Sequence, residues 1–143
     1  MIKLVKSTFY QEAKTKAALI SFIGRAGQLS FGQECRKFEE DFSRYQERKY
    51  SIFLNSGSSA NLAIIQALLN LGKIKKGEMV GFSALTWSTN VMPLIELGLR
   101  VLPIDAERDT LNVSSQKLLA CLKKQSIKML FLTNLLGFCD DID

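Results

Sequence analysis

From Tyr50 onward, short apolar runs alternate with amphipathic stretches, and this alternation limits the possible folds more than any other feature of the chain. Ser51-Ile52-Phe53-Leu54, Met79-Val80-Gly81-Phe82, Arg100-Val101-Leu102-Pro103-Ile104 and Ile127-Lys128-Met129-Leu130-Phe131-Leu132 have the length and composition of buried strands. Between them, Ala60 to Leu71, Thr86 to Leu97 and Ser114 to Lys124 carry apolar residues at helical spacing. Leu62, Ile65, Leu68 and Leu69 form the inward row of the first helix, Gly72 and Gly98 are stops, and Ser114 is an N-cap. The order β-α-β-α-β-α-β predicts an α/β fold with a mostly parallel sheet, helices on both faces and right-handed crossovers. Pro103 predicts an edge position for its strand. Ligands of such sheets sit beyond the carboxyl ends of the strands. The turns after Leu54, Phe82, Ile104 and Leu132 are therefore the places to look for function.

The first third of the chain has another character. Residues 9–23 predict a helix ending before Gly24, and three glycines make 24–32 a loop. Residues 33–45 predict a second helix, whose Cys35, Phe38, Phe42 and Tyr45 make one apolar stripe expected to pack in a core. This divides the chain into a helical segment with a loop, 1–49, and an α/β region, 50–143.

Composition removes several function classes. The 143 residues are 47% hydrophobic and 23% charged, which is globular composition. Histidine is absent, which excludes Ser–His–Asp hydrolysis and His-ligated zinc from these residues. The three cysteines, Cys35, Cys121 and Cys139, are odd in number and widely spaced. They predict reduced thiols, a cytoplasmic location and no metal cluster; Cys35 and Cys121 suit small core positions. The net charge of +5 is concentrated in residues 1–50, with ten Lys/Arg against six Asp/Glu, but it is scattered rather than blocked. No nucleic-acid motif accompanies it. The apolar run Ala17 to Ile23 lies between Glu12 and Arg25, too short for a membrane span and without a signal-cleavage site.

Two of the four turns stand out. Asn55-Ser56-Gly57-Ser58-Ser59-Ala60-Asn61 joins the first expected strand to a helix. Main-chain N–H groups at a helix start attract anions, Gly57 allows close approach, and the serine hydroxyls add donors. Two readings stand there: a phosphate site, or serines that simply cap the helix. It is neither a P-loop nor the dinucleotide fingerprint, because G-K-[ST] and G-x-G-x-x-G are missing. The second turn, Ser83 to Thr89, holds the single tryptophan, Trp87, among hydroxyls. It suits a stacking platform for a flat ring or a half-buried packing role. In the third turn Asp105, Glu107 and Asp109 suit a solvated turn or a cation. The fourth turn carries Thr133 and Asn134 and leads into an acidic end.

Taken together, G-Q-L-S-F-G (27–32), K-F-E-E-D-F-S-R-Y (37–45) and L-N-S-G-S-S-A-N-L (54–62) form a familiar series. It continues with K-K-G-E-M-V (75–80), L-T-W-S-T-N-V-M-P-L-I-E-L-G (85–98) and V-L-P-I-D (101–105). The series resembles the N-terminal part of the DegT/DnrJ/EryC1/StrS family, pyridoxal-phosphate sugar enzymes of the aspartate-aminotransferase fold (fold type I). The resemblance covers nearly the whole chain. It implies that residues 50–143 are part of a pyridoxal 5'-phosphate-binding large domain. Gly57, Ser58 and Ser59 would hold the cofactor phosphate, Trp87 would stack on the pyridine ring, and Asn134 would lie on a loop near it. The 27–32 loop would lie near the active site and the dimer interface. The implied substrate is a nucleotide-activated sugar, the setting surface-polysaccharide or lipopolysaccharide biosynthesis, and the assembly a homodimer.

Two departures qualify this resemblance. Aminotransferases of the family show S-G-T-x-A-L, whereas S-G-S-S-A-N-L with T-W-S-T is more similar to the branch of 4-keto-6-deoxy-sugar 3-dehydratases. The resemblance also implies that the pyridinium-pairing aspartate, the Schiff-base lysine or its histidine replacement, and a C-terminal small domain lie beyond Asp143. No catalytic residue is therefore assigned, and the 143 residues alone are expected to be inactive. The expected function is a sugar aminotransferase-like enzyme, with the 3-dehydratase as the alternative within the family. A non-catalytic phosphate- or nucleotide-binding module, or a relic, is the alternative of another class.

Overall fold

The computed structural model describes residues 9–139 and residue 142. The chain forms two compact units, Met1–Phe53 and Leu54–Asp143.

The first unit contains α1 (Glu12–Arg25) and α2 (Gln33–Tyr45). Helix α1 runs through Gly24 instead of stopping before it. A glycine costs a helix only about 1 kcal/mol, and the helix ends where Ala26 turns extended, its N–H bonding to the Phe22 carbonyl at 2.9 Å. Helix α2 has the expected bounds, but its stripe does not enter a core. Phe38, Phe42 and Tyr45 are exposed, and Cys35 is half-buried. The Phe38 and Phe42 rings stack at 5.7 Å, and Phe53 meets Phe38 edge-on at 5.4 Å. An apolar stripe shows which face of a helix seeks cover; it does not show what covers it.

Residues 51–54, expected to be the first strand, are not a strand. A strand needs a neighbour to complete its ladder, and among the described residues none runs beside this segment. Ile52 and Phe53 stay exposed, and the Phe53 N–H bonds instead to Glu39 Oε1 at 2.8 Å.

The second unit is the expected α/β layer. Its sheet is β1 (Met79–Ser83), β2 (Arg100–Ile104) and β3 (Met129–Phe131), all parallel, in the order β2-β1-β3. Val80 pairs with Val101 on one side and Met129 on the other. Among the described residues β2, which carries Pro103, has a neighbour on one side only, a place that tolerates a missing N–H. Helices α3 (Gly57–Asn70) and α4 (Ser88–Glu96) cover one face, where Val80 packs with Ile65, Ile74, Leu94 and Leu99. Helix α5 (Ser115–Leu122) covers the other, where Ile104, Val113 and Leu118 gather Ile127, Leu132 and Cys121.

Of the expected inward row on α3, Ile65, Leu68 and Leu69 reach the core. Leu62 does not; it stays 41% exposed beside Ser58 and Ser59, lining a hollow at the helix start. The expected stops act through backbone geometry. Gly72 (φ 65°) and Gly98 (φ 81°) take the left-handed conformation that closes α3 and α4. The next N–H in each case reaches back five residues: Lys73 to the Leu68 carbonyl and Leu99 to the Leu94 carbonyl, both at 2.9 Å. Ser114 caps α5, its Oγ accepting from the Lys117 N–H at 3.3 Å. β1 is central, with the next two strands on opposite sides of it. Its carboxyl end therefore opens onto the reversal of strand order where open α/β sheets bind ligands.

Candidate functional site at the carboxyl edge of the sheet

The start of α3 combines capping with open donors. Ser56 Oγ accepts from the Ser59 N–H at 3.1 Å and lies 3.2 Å from Ser59 Oγ. The Ala60 N–H takes the Ser56 carbonyl at 3.0 Å. The capping reading thus holds for Ser56. It leaves the N–H groups of Gly57 and Ser58, the first two of the helix, with no acceptor among the described residues. A Cβ at Gly57 would meet nothing within 4 Å, and Ser58 is exposed. Two open main-chain donors and a hydroxyl facing free space, at the positive end of a 14-residue helix, fit a phosphate group.

Trp87 is the N-cap residue of α4 and is 70% exposed, so it does not serve as a packing residue here. Its carbonyl accepts from the Asn90 N–H at 3.0 Å, which fixes the turn that carries it. The starts of the two helices face each other. Ser58 and Ser59 of α3, with Ser88 and Thr89 of α4, line one hollow of about 250 Å³ completed by Leu62, Met92, Pro93 and Glu96; Gly57 and Trp87 are not among its lining residues. Asn134 is exposed just beyond β3, and its amide donates to Cys139 Sγ at 3.8 Å. It lies outside that hollow, next to Thr133, which joins the site through a different contact.

That contact belongs to a polar cluster beneath the two turns. Thr86 Oγ1 and Thr133 Oγ1 are 2.6 Å apart, and Asn90 Nδ2 donates to both, at 2.9 and 3.0 Å. The Thr133 N–H bonds to Ser83 Oγ at 3.0 Å, joining the ends of β1 and β3. Asn61 Nδ2 reaches across from α3 to Asn90 Oδ1 at 2.7 Å and to the Thr89 carbonyl at 3.3 Å. The sequence reasoning missed this cluster. One signal was available: Pro93 lies inside α4 and has no N–H, so the Thr89 carbonyl four residues earlier must find another donor.

The acidic third turn is used structurally. Asp105 Oδ2 pairs with Lys117 Nζ at 2.8 Å, and Ser114 Oγ donates to Glu107 Oε1 at 2.6 Å. The hydrogen bond and charge of Lys117 lower the Asp105 carboxyl below its ordinary range. The hydrogen bond from Lys117 to Asp105 raises the lysine above its own. Among the described residues no group of three His, Cys, Asp or Glu is placed to hold a metal ion, and no helix is long and apolar enough to cross a membrane.

A parallel sheet with helices on both faces is the arrangement this chain shares with solved fold type I enzymes, and that is its class. The chain belongs to the DegT/DnrJ/EryC1/StrS aminotransferase family, whose model matches residues 11–143. It is 36% identical over 120 residues to the GDP-4-keto-6-deoxy-D-mannose 3-dehydratase of Yersinia pseudotuberculosis. That match covers 82% of this chain and 30% of the Yersinia protein. The E. coli enzyme of the same name, solved with bound hydrated PLP, superposes with a TM-score of 0.67 at 31% identity, over 80% of this chain and 29% of its own. An aminotransferase from Psychrobacter cryohalolentis gives a TM-score of 0.63 at 22% identity, over 82% of this chain and 29% of its own. At that identity the likeness shows the fold alone. The chain thus spans about a third of the length of these relatives.

Proposed function

We propose that residues 50–143 supply part of the pyridoxal 5'-phosphate site of a nucleotide-sugar enzyme, and that the enzyme belongs to the 3-dehydratase branch of the family. One observation carries this reading. Ser58 and Ser59 at the start of α3, and Ser88 and Thr89 directly after Trp87, border the same hollow. Gly57, Ser58 and Ser59 hold the phosphate by main-chain and hydroxyl donors, Trp87 offers its exposed face to the ring, and Asn134 stands outside the hollow on the loop after β3. When bound, the cofactor supplies the electron sink that lets bonds at the sugar be made and broken. The protein's part here is to hold the phosphate, orient the ring and keep one face of it from water.

Support for the dehydratase branch comes from two directions. S-G-S-S-A-N in this chain departs from the aminotransferase pattern, and the curated relatives from Yersinia, E. coli and Saccharopolyspora spinosa all bear 3-dehydratase names. The substrate class is a nucleotide-linked 4-keto-6-deoxy sugar, used for surface polysaccharide. The enzyme is a cytoplasmic homodimer.

The binding reading is tested on the 143-residue chain by following its amide resonances as pyridoxamine 5'-phosphate is added. Gly57, Ser58 and the Trp87 indole N–H should shift together. Shifts confined to scattered lysines would refute the site. The subclass is tested by incubating the enzyme containing this chain with a GDP-linked 4-keto-6-deoxy sugar and glutamate. Loss of the 3-hydroxyl supports the dehydratase; a stoichiometric 4-amino sugar that keeps that hydroxyl moves the protein to the aminotransferases.

A further inference from the structure

Among the described residues Asn61 alone joins α3 to α4 by hydrogen bonds, and it makes two. One goes to the Thr89 carbonyl, which has lost its helical partner because the residue four positions on is Pro93. The other goes to Asn90 Oδ1. Asn90 binds in three further directions. Its N–H holds the Trp87 carbonyl, and its amide nitrogen holds Thr86 and Thr133 on either side of the sheet edge. Asn61 also lies one helical turn after Ser58, so it sits directly behind the open donors of α3. The two ends of the candidate site therefore share one polar connection.

We propose that Asn61 is a positioning residue: through Asn90 and the Thr89 carbonyl it sets the separation and orientation of the Trp87 turn relative to the donors of Gly57 and Ser58. The ligand class is a phosphorylated planar heterocycle, whose phosphate and ring must meet both ends at once. This rests on the cofactor reading above and adds to it the residue that fixes the span between phosphate and ring. A side chain that could not donate to both acceptors would leave the Thr89 carbonyl and Asn90 Oδ1 unmet and free the Trp87 turn. The donors of α3 would be unchanged.

The test uses the 143-residue chain with Asn61→Ala and with Asn61→Leu, the second retaining volume so that a cavity is not the cause. Val113→Ala, in the core on the opposite face of the sheet, is the stability control. Without ligand, both Asn61 variants should shift the Trp87 indole N–H resonance and its near-UV circular dichroism toward a mobile ring, while Val113→Ala leaves both as in the wild type. With pyridoxamine 5'-phosphate, both should bind roughly three- to tenfold more weakly, while the Gly57 and Ser58 amides still respond. An unchanged indole signal in a folded Asn61 variant overturns the proposal, as does an equal change in Val113→Ala. A wild-type chain that fails to respond to the ligand sinks the cofactor reading alone, because the ligand-free indole comparison still decides the role of Asn61.

Discussion

Gly81 lies in the middle of β1 with no room beside it. A Cβ there would lie 2.8 Å from Ile104 Cδ1, 3.0 Å from Leu130 Cδ2 and 3.3 Å from Ile127 Cδ1. The absent side chain is what lets three aliphatic residues close over the central strand beneath α5. Gly81→Ala should therefore overpack this face and destabilise the chain by about 1–3 kcal/mol, measured as a lower urea midpoint with little change in slope. A midpoint equal to the wild type would mean that Ile104 and Leu130 can move aside. The pair Asp105–Lys117 is a second residue-scale case, with a sign that can be worked out. The Asp105 carboxyl is held below 3.8, so its contribution is present above that value and is lost as pH falls through the depressed one. Lys117 is held above 10.5, so its contribution is present below that value and is lost as pH rises through the raised one. Asp105→Asn should flatten both arms of the melting temperature against pH while changing the neutral value little, because the aspartate is exposed and salt screens the pair. A wild-type acid arm no steeper than that of Asp105→Asn would show that the pair contributes nothing.

At the scale of elements, what was legible in the sequence and what was not divide on a physical line. The β2 bounds, the stops at Gly72 and Gly98 and the cap at Ser114 depend on local rules: period, positive φ and side-chain capping. Each is where the sequence places it. Residues 51–54 have strand composition, yet strand pairing is not a local property, and no partner lies beside them among the described residues. Leu62 fits the helical period of the core row but faces the hollow, because the period specifies a stripe and not where along the helix the cover ends. The candidate site was legible as two turns, one rich in hydroxyls and one carrying the tryptophan. The link between them was not, since Asn61 and Asn90 are 29 residues apart in sequence. Pro93 offers a direct check on that link. In Pro93→Ala the new N–H can serve the Thr89 carbonyl, so Asn61 has less to do there. A urea double-mutant cycle should find Asn61→Ala less destabilising by about 0.5–1.5 kcal/mol in the Pro93→Ala background than in the wild type. Strict additivity would show that Asn61 does not serve that carbonyl.

At the scale of the whole molecule, the direction of the strands decides which lysines could ever anchor a cofactor. Every strand of the sheet is parallel, so one edge collects the strand carboxyl ends and the helix starts, and the other collects the helix ends. Within 54–139, Lys73, Lys75 and Lys76 lie between the end of α3 and the start of β1, and Lys123, Lys124 and Lys128 lie between the end of α5 and the start of β3. All six are thus on the amino edge, away from Ser58 and Trp87 by roughly the length of a five-residue strand, about 15 Å. Lys117 alone is near the carboxyl edge, in the first turns of α5, and it is paired with Asp105. Among the described residues no lysine borders the hollow between α3 and α4. What remains for binding is two main-chain donors, a hydroxyl and one aromatic face. Each hydrogen bond to the charged phosphate contributes about 1.5–3 kcal/mol net, and the ring contact about 0.5–1.5 kcal/mol. An association cost of roughly 4–15 kcal/mol offsets most or all of this, so affinity should be no better than about tens of micromolar. We therefore expect the 143-residue chain at micromolar pyridoxal 5'-phosphate to show neither turnover nor a borohydride-reducible adduct at any one lysine. Peptide mapping after reduction checks this. A stoichiometric adduct at a single position within 54–139 would mean that a lysine reaches the hollow between α3 and α4, which no lysine of that region lines in this structure.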